Sequence, residues 1–350
     1  MNSTTTMQKP PQLRQGDKLA ILSPSWGGPS LFPHVLDAGL QALRVLGFTP
    51  VEFPTARMDA QELYNNPRIR AEDINKAFGD PEIRGIIASI GGTDSARILK
   101  YLDPELIRAN PKFFMGFSDT TTLNTYLNQL GLVSFNGPSV MAGFAQWPHF
   151  SPEYRAYIRD FLLNPAAAMT LPVFPSYCNG YESWGVVMEG SHLAELVPNE
   201  GLRFIQGSGK VSGTLFGGCI EVLEMLKGTE FWLQPDFWNG KILFLETSED
   251  KPSVDYVQFW LRNYGVMGVF DRVSGILFGR PRDYSDEEKR KLEQRILTVV
   301  RDEFGNSDLP IVCNVDFGHT DPQLILPLGI DHEIDCQAGT ITQVERAFGD

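Results

Sequence analysis

Phe113-Phe114-Met115-Gly116-Phe117-Ser118-Asp119-Thr120 is an apolar run that stops at a hydroxyl. Directly behind it, Leu123, Tyr126, Leu127 and Leu130 recur at the spacing of one helix face, and Gly131 closes the segment. A buried strand that feeds at once into a helix is the repeating unit of a parallel sheet, so the stretch predicts an α/β fold. Ser118 then sits in the turn between the two.

The same rhythm extends outward from this point. Apolar runs at 19–22, 49–53, 85–90 and 132–135 alternate with helical spacings such as Leu36, Leu40, Leu43 and Leu46. They predict an N-terminal doubly wound parallel-sheet domain over residues 1–146, with helices on both faces. Residues 147–200 break the pattern with Pro148, Pro152, Pro165, Pro172, Pro175 and Pro198, and read as a linker holding one short helix near 153–163. A second α/β domain is expected over 201–350. Its strands fall at Val211 onward, 241–245, 273–278 and 310–315, and its helices near 219–227, 254–264 and 285–304. Ser285 followed by Glu288 forms a capping box at the start of the last helix, and 334–344, broken by Ala338-Gly339, reads as a C-terminal hairpin.

Composition narrows the function. The chain has 350 residues, 42% of them hydrophobic and 21% charged, in the range of a folded globular protein. Thirty basic against 43 acidic side chains give a net charge of -13, which repels nucleic acid and anionic lipid. No run approaches the length of a membrane span and no export signal is visible, so neither nucleic acid nor a membrane is an expected partner. Cys178, Cys219, Cys313 and Cys336 form no C-x-x-C pair; four reduced thiols in a cytoplasmic protein is the simplest account.

In a parallel sheet ligands bind beyond the carboxyl ends of the strands, so chemistry is sought there. Ser118 fits two roles: a nucleophile beside the free N–H of Asp119 at a helix start, or a plain helix cap. Gly91-Gly92 follow another strand and fit a second N–H donor, a phosphate cradle or a tight turn. Among the histidines, His319 in the loop 316–322 is best placed as a base, and Asp316, His319 and Asp321 are a rival set of metal ligands. Glu246 ends the apolar strand 241–245 and is the candidate to orient a base, whereas Glu249 and Asp250 read as a solvated loop. Cys219, after Gly217-Gly218, reads as a buried small hydrophobe rather than a nucleophile.

Taken together these residues resemble the LD-carboxypeptidase family of serine peptidases, which also includes the microcin C immunity peptidases. The resemblance runs from Gly16-Asp17-Lys18-Leu19 to Gly318-His319-Thr320-Asp321-Pro322, through Ile90-Gly91-Gly92, Gly116-Phe117-Ser118-Asp119, Asn136-Gly137-Pro138, Gly217-Gly218, Leu245-Glu246 and Phe317-Gly318-His319. It implies a Ser118-His319-Glu246 triad, with an oxyanion hole from the backbone N–H of Asp119 and of the Gly91-Gly92 loop. It further implies a homodimer with no metal or organic cofactor. As substrate it implies a small peptide such as a murein tetrapeptide, which would lose its terminal D-amino acid, or an aminoacyl-nucleotide phosphoramidate. Either substrate is charged and calls for a cation, for which Arg97, Arg203, Arg280 and Arg282 are candidates. The length and the phrases at 131–138 and 314–319 look more like the immunity branch. Where that branch carries tryptophan, in the loop before Gly209, this chain has Leu202 and Arg203, leaving Phe204 or Trp184 as a ring for a base. A non-catalytic two-lobed binding protein, in which the serine only caps its helix, is the reading of another class.

Overall fold

The computed structural model describes residues 7–186 and 191–349. The chain opens with β1 (Lys18–Leu22), α1 (Gly28–Leu31), α2 (Pro33–Val45), β2 (Thr49–Glu52), α3 (Ala60–Asn65), α4 (Pro67–Gly79), β3 (Ile83–Ala88), α5 (Pro104–Ala109), β4 (Phe113–Met115), α6 (Thr121–Gln129) and β5 (Ser134–Asn136). It continues through α7 (Pro152–Leu163) and the two-residue strands β6 (Met169–Thr170), β7 (Ser176–Tyr177) and β8 (Val197–Pro198). Then come β9 (Arg203–Gln206), β10 (Lys210–Cys219), α8 (Ile220–Leu226), β11 (Lys241–Glu246), α9 (Val254–Val266), β12 (Gly275–Gly279) and α10 (Asp286–Leu297). The last elements are β13 (Ile311–Val315), β14 (Leu326–Leu328), β15 (Asp331–Asp335) and β16 (Thr340–Gln343).

Two sheets result, as the α/β reading expects. The first runs β14-β5-β4-β3-β1-β2, parallel throughout except for β14, which is antiparallel to β5. Its central strands are buried on both faces, which is why they read as unbroken apolar runs instead of alternating ones. The strand order reverses between β1 and β3, so the loops after these two strands diverge and leave a crevice at their carboxyl ends. The second sheet runs β6-β16-β15-β10-β11-β12-β13-β9, with β10 to β13 parallel and the C-terminal β15-β16 hairpin antiparallel beside them.

The helices start where the chemistry of their first residues says. Ser253 Oγ accepts the N–H of Tyr256 to open α9, and Ser285 with Glu288 makes the reciprocal box that opens α10. Five strands depart from the sequence reading, three of them the two-residue β6, β7 and β8 inside the stretch read as a linker, where β6 pairs with β16 and β7 with β8. Residues 203–206, read as loop, form β9, an edge strand paired antiparallel to β13. β14 leaves the second half of the chain to complete the first sheet, carrying Leu326↔Asn136 and Leu328↔Ser134 as partners. The stretch from Val315 to Leu326 therefore spans from one sheet to the other.

The two sheets also meet where α6 abuts the end of β10. Thr121 Oγ1 accepts the N–H of Cys219 at 3.1 Å. Gly218, at φ +151, leaves just enough room, because a Cβ there would lie 2.5 Å from Thr121 Cγ2. Both the backbone angle and the contact exclude a side chain. Gly218→Ala is expected to destabilise the protein by about 2 kcal/mol or more, read as a lower denaturant midpoint at unchanged slope. A wild-type midpoint would show that this contact is not tight.

Candidate functional site

The turn after β4 is built without slack. Gly116 has no room for a side chain, since a Cβ would fall 2.6 Å from Thr120 Oγ1, and its carbonyl accepts from Asn124 Nδ2 at 3.0 Å. Ser118 follows at φ +58, in the left-handed region that a serine enters only when its surroundings force it there. A single 3-10 turn, Ser118–Thr120, then leads into α6, and the Ser118 hydroxyl caps neither element. The cap reading of Ser118 is thus not what the local geometry shows.

Asp119 instead caps the 3-10 helix Ser95–Tyr101 that follows the loop after β3. Its Oδ2 accepts the N–H of Ser95 at 2.7 Å and of Asp94 at 3.1 Å, while Ser95 Oγ donates to the Asp119 carbonyl at 2.7 Å. Burial raises this carboxyl above its usual range although those hydrogen bonds pull the other way. The effect is to lock the loop after β3 against the Ser118 turn. Within that loop a Cβ on Gly91 would lie 3.0 Å from Ser118 Oγ and 3.4 Å from the Asp119 nitrogen, so the Gly91 backbone, the hydroxyl and that N–H converge on one spot. Gly92, at φ +149, packs on Ser25 and Trp26, and the Gly91 carbonyl accepts from the Trp26 N–H at 3.1 Å. Arg70, wholly buried, fixes the loop's far end through a bidentate pair with Asp94 at 2.7 and 2.9 Å.

His319 lies in the segment that crosses between the sheets, and Glu246 ends β11. His319 Nδ1 is 2.6 Å from Glu246 Oε2, with Glu246 fully buried and His319 nearly so. Gly318, at φ +97, makes the approach possible: a Cβ there would stand 2.6 Å from the same oxygen. The imidazole also rests on Phe117, with ring centroids 5.0 Å apart, so it lies beside the Ser118 segment. Burial raises the Glu246 carboxyl, opposed by the imidazole. Burial would lower the His319 pKa, but Glu246 and Glu249 outweigh it and raise it to about 10. Glu249, read from sequence as solvated, places Oε2 2.8 Å from His319 Nε2. Only its turn geometry brings it there, which is why spacing did not reveal it.

Other sequence candidates do not assemble. Asp316 is committed to Arg280 at 2.5 Å and to the N–H of Phe174, so it does not join His319 and Asp321 in a ligand set; no metal-binding group of acids, histidines or cysteines occurs among the described residues. The Cys219 thiol is buried and its pKa pushed up, first by desolvation and then by Glu246. Three of the four arginines are engaged: Arg97 with Asp94, Arg203 with Glu293, and Arg280 with Asp316. Arg282 is the one near the site, lying against Gly180 and over the Tyr181 ring at 5.7 Å, where it acts on Glu249 and Asp321. Beside Gly91-Gly92 stands an aromatic stack: Tyr181 on Trp184 at 4.8 Å and Trp184 on Trp26 at 6.4 Å. No helix among the described residues is long and apolar enough to cross a membrane.

Comparison with known proteins agrees with this layout. Residues 19–137 match the LD-carboxypeptidase N-terminal domain and 212–334 the LD-carboxypeptidase C-terminal domain. The microcin C7 self-immunity protein MccF of Escherichia coli is 30% identical over 95% of either chain. A probable murein peptide carboxypeptidase of Bacillus subtilis is 27% identical over 92% of this chain and 89% of its own. The solved structure of MccF in complex with aspartyl sulfamoyl adenosine superposes with a TM-score of 0.83 at 27% identity, covering 97% of this chain and 99% of that one. The paired domain matches and the near full-length relatives lead to one assignment: this chain belongs to the LD-carboxypeptidase family and is a serine peptidase.

Proposed function

We propose that this enzyme is a carboxypeptidase or amidase working through a Ser118-His319-Glu246 triad, on an amide such as that to the terminal D-amino acid of a murein tetrapeptide. The observation that carries this reading is the 2.6 Å contact of His319 Nδ1 with buried Glu246, on an imidazole packed beside the Ser118 turn. A carboxylate on Nδ1 fixes the tautomer that leaves Nε2 free to take a proton, which is what a base for Ser118 requires. Ser118 Oγ bonds to the amide carbon as its proton passes to Nε2. The same proton then goes to the leaving amine as the carbon–nitrogen bond breaks, and water repeats the cycle on the acyl-enzyme. The carbonyl oxygen that gains charge in each step meets the N–H of Asp119 and of the Gly91-Gly92 loop.

A second reading, cleavage of an aminoacyl-nucleotide phosphoramidate, is favoured by the rings next to Gly91. Trp26 remains 36% exposed at the mouth of the Tyr181-Trp184-Trp26 stack, and Arg282 supplies a cation on the same side. The MccF structure with an aspartyl sulfamoyl adenosine bound lends that reading support by similarity. A hydrolysis panel holding a murein tetrapeptide and aspartyl sulfamoyl adenosine separates the two. Release of D-alanine alone assigns the first reading, release of aspartate alone the second. Ser118→Ala is expected to abolish either activity along with labelling by a fluorophosphonate, and labelling that survives in this variant would refute the assignment of the nucleophile.

Gly91→Ala tests the oxyanion site separately. The new methyl would stand 2.9 Å from Ser118 Cβ and 3.0 Å from its Oγ, where the developing oxyanion must sit. The expected result is a fall in kcat/KM of roughly a hundredfold or more, the scale of losing one oxyanion donor. Activity within a few-fold of wild type would move the oxyanion hole elsewhere.

A further inference from the structure

Glu249 meets the imidazole at the nitrogen that Glu246 does not touch. Oε2 of Glu249 is 2.8 Å from Nε2, and Oε2 of Glu246 is 2.6 Å from Nδ1. A neutral imidazole has one N–H and one lone pair, so between two carboxylates it would turn a lone pair on an anion. Only the imidazolium suits both neighbours. The Nε2 contact is at ion-pair distance but outside hydrogen-bond geometry, and Nε2 has no hydrogen-bond partner among the described residues. Glu249 thus holds the charge of the ring without occupying the axis of its N–H.

The remaining groups around the ring sharpen the picture. From the second sheet come Glu246, with Glu221 and the Cys219 thiol behind it, and Glu249 itself. Asp321 acts from the ring's own loop, and Arg282, from the loop after β12, bears on both Glu249 and Asp321. The first sheet contributes the apolar Phe117 ring, while the Asp119 carboxylate is spent on Ser95. Glu249 is also the solvent-facing member of the group: its side chain is 53% exposed, against 4% for His319. The backbone before it is pinned, because Ser248 donates its N–H and its Oγ to Glu221 Oε1 at 3.0 and 2.6 Å. The carboxylate can swing to water while the loop stays put.

We propose that Glu249 is a positioning residue that parks the resting His319 as an imidazolium, and that moving its carboxylate off Nε2 turns His319 into a base. This rests on the Ser118-His319-Glu246 reading. At rest Nε2 keeps its proton and cannot receive that of Ser118. When Glu249 turns outward the proton passes to water. Neutral Nε2 then takes the Ser118 proton as the oxygen–carbon bond forms, and Glu249 returns to steady the new imidazolium until the amine carries that proton away. The electrostatics run the same way, with His319 raised to about 10 and Glu249 lowered to about 2, the imidazole outweighing the partial desolvation of the carboxylate.

The test uses the full chain with ring-labelled histidine, followed by NMR from about pH 5 to 11, in wild type, Glu249→Gln, Glu249→Asp and Glu246→Gln. In parallel, the second-order rate of fluorophosphonate labelling is measured; its fluoride departs without a proton, so the rate reports the base alone. Because the group is raised, the base form is lost as pH falls through the folded value, and labelling climbs with pH. Glu249→Gln is expected to lower the His319 midpoint by about one unit or more and to speed labelling at pH 7 about tenfold, since one unit is tenfold in the neutral form. Glu249→Asp should stay near wild type. A His319 midpoint unchanged in Glu249→Gln, or labelling slowed at every pH as in Glu246→Gln, overturns the proposal. If wild type is labelled at no pH, the serine reading fails, and the NMR midpoints still decide the role of Glu249.

Discussion

One constraint shapes the site: the segment between Val315 and Leu326 is tied at one end to the second sheet and at the other to the first. An imidazole carried on a free loop would lose its position to thermal motion; tied at both ends, it inherits the rigidity of two cores. The anchors are paired on opposite sides of the loop. Asp316 is held by Arg280 and the Phe174 N–H, and Leu326 of β14 pairs with Asn136 of β5. Phe317 packs edge-on against Phe244 of β11, which sets the loop's height over the strand end from which Glu246 projects. Replace either anchor and the distance from His319 to Ser118 becomes a variable instead of a property of the fold.

On the serine side the same economy of room recurs. Left-handed backbone at Ser118 costs on the order of 1 to 3 kcal/mol, which the surrounding contacts must hold in place. Those contacts are the Asn124 amide on the Gly116 carbonyl, Thr120 Oγ1 on the Phe117 carbonyl, and the Asp119 carboxylate on Ser95. The last of these ties the loop after β3 to the turn after β4, so the strained hydroxyl and the glycine N–H groups move as one body. Strain of this kind beside a switch-point crevice fits the nucleophile role proposed for Ser118, and a plain helix cap has no use for it.

Ser118, His319 and Glu246 stand out in the sequence as candidates because each ends or follows a long apolar run, a signal that depends only on which residues are buried. The two sheets stand out for the same reason. What the sequence hid depended on pairing between distant segments. β9 is a short edge strand with Arg203 and Gln206 in it, and no apolar period marks such a strand. β14 is a three-residue strand containing Pro327, and its partner lies in the other half of the chain. Glu249 looked like any acid in a polar loop, since only the turn at Ser248 decides that its carboxylate faces inward. Asp119 was legible as a polar residue at a helix start but not as the cap of a helix some two dozen residues earlier.

Charge poses the last question that the geometry answers. A chain at net -13, with Glu246, Glu249, Glu221 and Asp321 gathered around one imidazole, repels an anionic substrate unless a cation faces the crevice. Arg97, Arg203 and Arg280 are each consumed by a carboxylate of the scaffold. Arg282 differs: among the described residues its ion-pair partner is the exposed Asp283 beside it, and its guanidinium lies against Gly180 with the Tyr181 ring near. Gly180 sits at φ +91, a backbone conformation that side chains rarely adopt, and a Cβ there would press on the guanidinium carbon at 2.9 Å. The strap that carries Tyr181 and Trp184 thus places a cation and an aromatic wall on the same flank of the crevice. An anionic substrate bound on that flank would draw Arg282 away from Glu249, and a Glu249 relieved of its cation has less to hold it inside. On the proposed role of Glu249, substrate charge would then bear on the imidazole through Arg282.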